Sequence, residues 1–149
     1  MGAPLHRTWV LQGRASCVGA GLQAEALARA SGWTVREAGE LCLLVIELST
    51  NADRHGGGGQ CTLELGAADC EVVVEDEGPG FPPELLARFS AGLPLEEILH
   101  PPDAPAERGL GAGLDSSRRL AAHLTLENKP GRGALARARV TRAAPRRGR

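Results

Sequence analysis

The chain has no tyrosine, and only two phenylalanines and two tryptophans in 149 residues. That leaves too few flat rings for a surface that grips nucleic acid by stacking on bases. A charge excess is missing too. The 17 Lys and Arg are balanced by 18 Asp and Glu, so there is no electrostatic case for nucleic acid as the main partner. Cys17, Cys42, Cys61 and Cys70 form no C-x-x-C pair, and no Cys/His cluster has zinc spacing. They are read as free thiols in a reducing cytosol. Cys61 and Cys70 fall on two arms of one expected hairpin, where a disulfide is conceivable but not expected. The longest apolar run, around Leu41 to Ile46, is far too short to span a bilayer. No basic stretch followed by an apolar one opens the chain, so no signal peptide is expected and the expected location is cytoplasmic. Neither G-x-G-x-x-G after a strand nor G-K-[ST] occurs, which removes the dinucleotide and P-loop fingerprints. No internal repeat is visible.

What is present reads as globular, with 42% hydrophobic and 23% charged residues. The length suggests one domain, residues 1–142, followed by a basic tail, 143–149, read as disordered. "HRTWVLQ" reads as a first strand with Trp9 on one face. "SCVGAGLQAEALARASG" is a helix with Val18, Leu22 and Leu27 near helical spacing, ending at Gly32. In "TVREAGELCLLVIELSTNADRH", Thr34 precedes Glu37 at capping-box spacing. Val35, Ala38, Leu41, Cys42, Val45 and Leu48 fall on one stripe of that helix. Gly39 within it costs about 1 kcal/mol relative to Ala; close packing is the one use the sequence suggests for it. "QCTLELG" and "CEVVVED" read as a hairpin across "AAD". From Pro79 to Arg108 the chain is rich in Pro and Gly, with short helical pieces at "PPELLARF" and "LEEILH", and reads as a functional lid. "GLGAGLDSSRRLAAHL" reads as a glycine turn opening a helix, and "LTLENKP" with "GALARARVTR" as a closing antiparallel pair. The resulting fold class is an α/β two-layer sandwich, a mixed, mostly antiparallel sheet with helices on one face.

Three stretches carry chemistry. In "IELSTNADRHGGGG", Glu47 and Asn51 lie one helical turn apart, about 6 Å, on one face. A carboxylate there can take a proton from a hydroxyl, and an amide oxygen can ligate a hard cation such as Mg²⁺. The four glycines that follow read as the turn by which the chain leaves the helix. In "EDEGPGF", Asp76 stands at a strand end, with Gly78 and Gly80 letting the backbone turn and approach a ligand. Its carboxylate accepts hydrogen bonds without donating, which suits the exocyclic amine of adenine. In "RGLGAGL", glycines recur before a helix whose exposed N–H groups favour phosphate, with Arg108 as a charged fork at the edge. Each stretch has an ordinary reading by itself, as a solvated helix end, a turn or a hinge. Their order within one small domain does not.

These residues resemble the Bergerat-fold ATPases, the superfamily of gyrase B, heat-shock chaperones, mismatch-repair ATPases and histidine-kinase catalytic domains. "ELSTNADRHG" is similar to its N box, "DEGPG" to its first glycine box and "GLGAGL" to its second. The likeness spans roughly Gly13 to Val140. Within the superfamily, the small size and "HGGGG" resemble the anti-sigma-factor serine/threonine kinases, most of all the switch kinases of stress-signalling modules. The resemblance implies ATP and Mg²⁺ as cofactors, Glu47 as general base and Asn51 as the Mg²⁺ ligand. It implies Asp76 as the adenine reader, with Gly78 and Gly80 shaping the pocket. Gly109, Leu110, Gly111, Ala112 and Gly113 become the phosphate-binding end of the lid, with Arg108 reaching the terminal phosphate. His55 is taken as structural or as a nucleotide neighbour. One departure stands out: "GRGAL" puts Ala134 where the family often has a Thr whose hydroxyl supports adenine binding.

The expectation is an ATP-dependent serine/threonine protein kinase phosphorylating a STAS-domain anti-sigma antagonist by partner switching. A sigma factor or a PP2C-type phosphatase is a further expected partner, a homodimer is compatible with the sequence, and neither nucleic acid nor membrane is expected as a partner. The alternative is a nucleotide-gated binding module without efficient transfer. A detached histidine-kinase catalytic domain is disfavoured because no phosphoacceptor helical hairpin is seen upstream.

Overall fold

The capping box forms as its spacing predicts. The Thr34 hydroxyl accepts the Glu37 N–H at 3.1 Å and the Glu37 carboxylate accepts the Thr34 N–H at 3.0 Å. This starts the longest of the described helices, in a computed structural model that describes residues 2–95 and 110–142, with the side chains of 110–112 excepted. In chain order the elements are β1 (Leu5–Leu11), α1 (Arg14–Ala30), α2 (Val35–Gly56), β2 (Gly59–Leu65), β3 (Asp69–Asp76), α3 (Pro83–Ser90), α4 (Leu110–Leu120), β4 (His123–Asn128) and β5 (Ala134–Thr141). The strands form one sheet in the order β1-β2-β3-β5-β4, antiparallel at every pairing.

Alternation along the strands sets the two layers. Leu63, Leu65, Val72, Val74, Ala136, Ala138 and Val140 are buried under the helices, while the other face carries charged pairs such as Arg137–Glu71 at 3.2 Å. The core of α2 is Ala38, Leu41, Leu44, Val45, Leu48 and Ala52. Val35, expected on that stripe, is 68% exposed. It is the first residue after the cap, before the helix reaches the core.

α1 departs further from its expected pattern. Leu22 is 56% exposed, and the buried stripe is Cys17, Ala20, Gly21, Ala24 and Ala28. Small residues let α1 lie close on α2: a Cβ at Gly21 would strike the Ile46 side chain and come within 2.9 Å of the Cys42 carbonyl. Gly39 does not serve that purpose, since nothing lies within 4 Å of where its Cβ would stand. Gly39→Ala is therefore expected to raise stability by about 1 kcal/mol, read as a higher denaturation midpoint at unchanged m-value; an unchanged or lower midpoint would contradict it.

The glycine run after α2 divides its labour. Gly56 ends the helix, Gly57 takes the left-handed cap conformation at φ 75°, Gly58 donates its N–H to the Ala52 carbonyl at 3.1 Å, and Gly59 already pairs in β2. At the other end of the chain, α4 stops at Leu120 and His123–Leu124 belong to β4, where the sequence pattern extended the helix through Leu124. Of the expected lid, "PPELLARF" forms α3, and Phe81, Leu85 and Leu95 are buried anchors. Leu95 donates its N–H to the Asp115 carboxylate of α4 at 3.0 Å. The remainder of the lid, 96–108, with most of "LEEILH", lies outside the described residues, as does the basic tail 143–149.

All four cysteines are buried and unpaired. In the register Cys61 faces Val74 and Cys70 faces Leu65, so the two do not oppose each other across the hairpin. Burial pushes the thiols of Cys61 and Cys70 up to about 12 and that of Cys42 to about 11. Since the thiolate is the reactive form, an aromatic disulfide reagent at pH 8 is expected to titrate no thiol promptly in the native protein and four after denaturation. Fast native reaction would show that the core opens.

Candidate functional site

Asp76 ends β3 and is 7% exposed. Its Oδ1 accepts the N–H of Gly78 at 2.9 Å and that of Ala134 at 3.2 Å. Oδ2 accepts no hydrogen bond among the described residues. The carboxylate is thus held by backbone donors through one oxygen and keeps acceptor capacity on the other.

Glycines make this possible. A Cβ at Gly56 would strike the Asp76 side chain, one at Gly59 the Glu75 carbonyl, and one at Gly133 the Asp76 carbonyl. At Gly78 it would stand 2.5 Å from the Gly56 Cα. The end of α2, the start of β2, the turn after β3 and the residue before β5 therefore close in on Asp76 and the backbone beside it. Of these glycines the sequence pointed only to Gly78; the others look like turn residues until the fold brings them together.

The empty space in front of Asp76, open mouth included, is ≈ 400 Å³. Leu48, Ala52, Val74, Phe81, Leu114 and Ala136 wall it, and Asp76, Asn51 and His55 are its main polar groups. Burial, and then the neighbouring Arg54, holds the His55 imidazole below its ordinary range, against a smaller opposing pull from Asp76. Phe81 is fixed by a residue the sequence did not reveal. Asn128 of β4 accepts the Phe81 N–H on Oδ1 at 2.6 Å and donates from Nδ2 to the Phe81 carbonyl at 3.0 Å. This amide clamp imitates a strand pairing and ties the "DEGPGF" turn to the sheet edge. Gly80, at φ 88°, leaves room for it: a Cβ there would lie 2.6 Å from Asn128 Oδ1.

Glu47 and Asn51 lie one turn apart on α2, both half-buried. Gly113, in the first turn of α4, packs on the pair; its Cβ would come 2.8 Å from Glu47 Oε2 and 3.3 Å from Asn51 Oδ1. Residues 110–113 are helical, so the second glycine stretch supplies the first turn of α4 rather than a loop ahead of it. Arg108 and Gly109 lie outside the described residues.

Among the described residues, Asn51 Nδ2 is buried without a hydrogen-bond partner. An amide can present either oxygen or nitrogen to a ligand, so this orphan fits a site completed by phosphate and a hard cation. The described residues contain no group of three or more His, Cys, Asp or Glu that could hold a metal. A Mg²⁺ ion here would rest on Asn51, with phosphate and water oxygens as the other ligands, which is the coordination Mg²⁺ commonly takes.

An antiparallel sheet layered with helices, an acceptor carboxylate at a strand end over an apolar pocket, and a carboxylate–amide pair beside it define an α/β nucleotide-binding domain. The model of the histidine kinase-, DNA gyrase B-, and HSP90-like ATPases matches residues 37–144, and the chain belongs to that family, whose domain binds ATP. Among solved structures, it is similar to one in the SiaB–SiaC complex from Pseudomonas aeruginosa, at 17% identity and a TM-score of 0.67, covering 91% of this chain and 88% of that one. It is also similar to the catalytic domain of histidine kinase ThkA, at 17% identity and a TM-score of 0.51, covering 92% and 97%. At these identities the likeness is one of fold. No curated protein sequence matches the chain. Among the described residues no helix is long and apolar enough to cross a membrane.

Proposed function

We propose that the chain is an ATP-dependent protein kinase of the anti-sigma regulatory type, which transfers phosphate to a serine or threonine of a STAS-domain antagonist partner. The observation that carries this reading is the Glu47–Asn51 pair, intact and held against Gly113 beside the Asp76 pocket. In this reading Asp76 accepts the adenine amine, and Gly78 and Gly80 set the turn that leaves space for the ring. Gly113, with the backbone of Leu110, Gly111 and Ala112, binds the phosphates, and the sequence resemblance assigns Arg108 and Gly109 the same task. Asn51 presents its amide to Mg²⁺, which would neutralise phosphate charge when bound. Glu47 takes the proton of the attacking hydroxyl, and the remainder of the catalysis is positioning. The likeness to a chain solved in a two-protein complex supports a regulator that works through a partner. A sigma factor or PP2C-type phosphatase would bind the same protein in other states of the switch.

The test is incubation with radiolabelled ATP, Mg²⁺ and a STAS-domain protein of the same organism. Acid-stable label on Ser or Thr of that protein is expected. Acid-labile label, or stable association with no transfer, overturns the serine/threonine kinase reading.

Ala134 favours a second reading, a nucleotide-gated binding module. The backbone N–H of Ala134 reaches Asp76, but its methyl cannot supply the hydroxyl that a threonine would offer a base. Association with a partner that depends on ATP yet yields no phosphorylated product would select this reading.

A further inference from the structure

A second cavity opens beside the Asp76 pocket, and part of its wall comes from a helix that none of the three sequence motifs touches. Glu47, Thr50, Asn51 and Arg54 of α2 line it, with Gly113 of α4 and Arg14, the first residue of α1. Asn51 lines the first pocket as well, so the two cavities meet at its amide. The two cavities lie on neighbouring faces of α2, and along the helix Gly56 at its end meets Asp76, whereas Gly113 meets Glu47 and Asn51 nearer its start. A nucleotide with its base at Asp76 and its phosphates running along α2 therefore places its anionic end in the second cavity.

Arg14 is held there by the local structure. The Gly13 N–H donates to Asp53 Oδ1 of α2 at 2.8 Å. The Ser16 hydroxyl accepts the Gln12 N–H and donates to the Gly13 carbonyl, both at 2.7 Å. The close seam at Gly21 fixes α1 on α2 further along. The Arg14 side chain itself is exposed and makes no ion pair among the described residues. Two arginines in the lining, Arg14 and Arg54, with the orphaned buried amide of Asn51 and a single acid, suit a terminal phosphate.

We infer that Arg14 binds the terminal phosphate of the nucleoside triphosphate, so that α1 is the element that distinguishes triphosphate from diphosphate. This rests on the ATP reading of the Asp76 pocket and adds to it a residue outside the three motifs. Arginine suits the task because its planar fork can pair two phosphate oxygens at once.

The experiment is calorimetric titration with ADP and with a non-hydrolysable ATP analogue, in Mg²⁺, of the wild type, Arg14→Ala, Arg14→Lys and Arg29→Ala. Arg29 is exposed near the far end of the same helix and controls for the lost charge. Arg14→Ala is expected to weaken the triphosphate roughly tenfold or more while ADP changes less than about twofold. Arg14→Lys should fall between, Arg29→Ala should match the wild type, and all four should melt together. Equal loss for both nucleotides, or no loss, in a wild type that binds both would overturn the Arg14 inference alone. A wild type that binds neither would overturn it together with the ATP reading beneath it.

Discussion

Asp76→Asn is expected to weaken adenine nucleotides by roughly 30-fold to 1,000-fold, equivalent to about 2–4 kcal/mol, and to do so equally for ATP and ADP. The substitution is nearly isosteric. An amide oxygen in the place of Oδ1 can keep the bonds from Gly78 and Ala134. The amide nitrogen then falls where Oδ2 was and turns a donor toward the donor of the base. A site built to accept a hydrogen bond discriminates strongly once its partner cannot make it. Equal loss for the two nucleotides follows because Asp76 packs against Gly56 at the end of α2, more than two helical turns beyond Glu47. Calorimetry with both nucleotides, alongside a melting curve to show that the fold is kept, is the measurement. Binding within about threefold of the wild type would mean that Asp76 does not read the base.

The second large effect is at Glu47. Glu47→Ala and Glu47→Gln are each expected to lower phosphoryl transfer to the partner by about 100-fold to 10,000-fold, the range for losing a positioned general base. Affinity for ATP should be unchanged or slightly tighter, because a negative charge leaves the phosphate end. The separation of the two effects identifies the role: an acid that only held the cavity together would reduce binding and transfer alike. Single-turnover transfer at saturating ATP, with affinity measured independently, checks it. Retained transfer in the Gln variant would remove Glu47 from the chemistry.

Much of this site could be read along the chain because it is built from local spacings. Glu47 and Asn51 need only one helical turn to meet, and the Thr34–Glu37 box that starts their helix is legible in four residues. Asp76 followed by Gly78 and Gly80 announces a strand that ends in a tight turn. The strands also declared themselves by alternation, down to the hairpin between Leu65 and Asp69. Contacts between distant segments left weaker traces. Asn128 lies 47 residues from the Phe81 backbone it clamps, and nothing in "LENKP" shows that an amide there faces a glycine turn. α1 misled for a related reason. Apolar size marks a helix that faces a sheet, but a helix that lies close on another helix hides its smallest residues, so Ala20, Gly21 and Ala24 went inside and Leu22 outside. Arg14 belongs to no spacing pattern and becomes visible only through the cavity it lines. Ala134 looked like a lost contact, while the fold gives its backbone N–H to Asp76.

The four glycines after His55 have a consequence for how the protein tolerates change. In a saturation mutagenesis screen scored for nucleotide binding, Gly56 and Gly59 should be as intolerant as Asp76, and Gly78 and Gly133 with them, although none of the four carries a functional group. Any side chain there lands on the carboxylate or on the backbone that holds it. Gly57, whose Cβ would meet nothing and whose φ of 75° suits Asn, should accept that residue. A homopolymeric run of four identical letters would thus resolve into an intolerant Gly56, a Gly57 open to Asn, and intolerant Gly58 and Gly59, and that pattern would itself report where the Asp76 carboxylate sits.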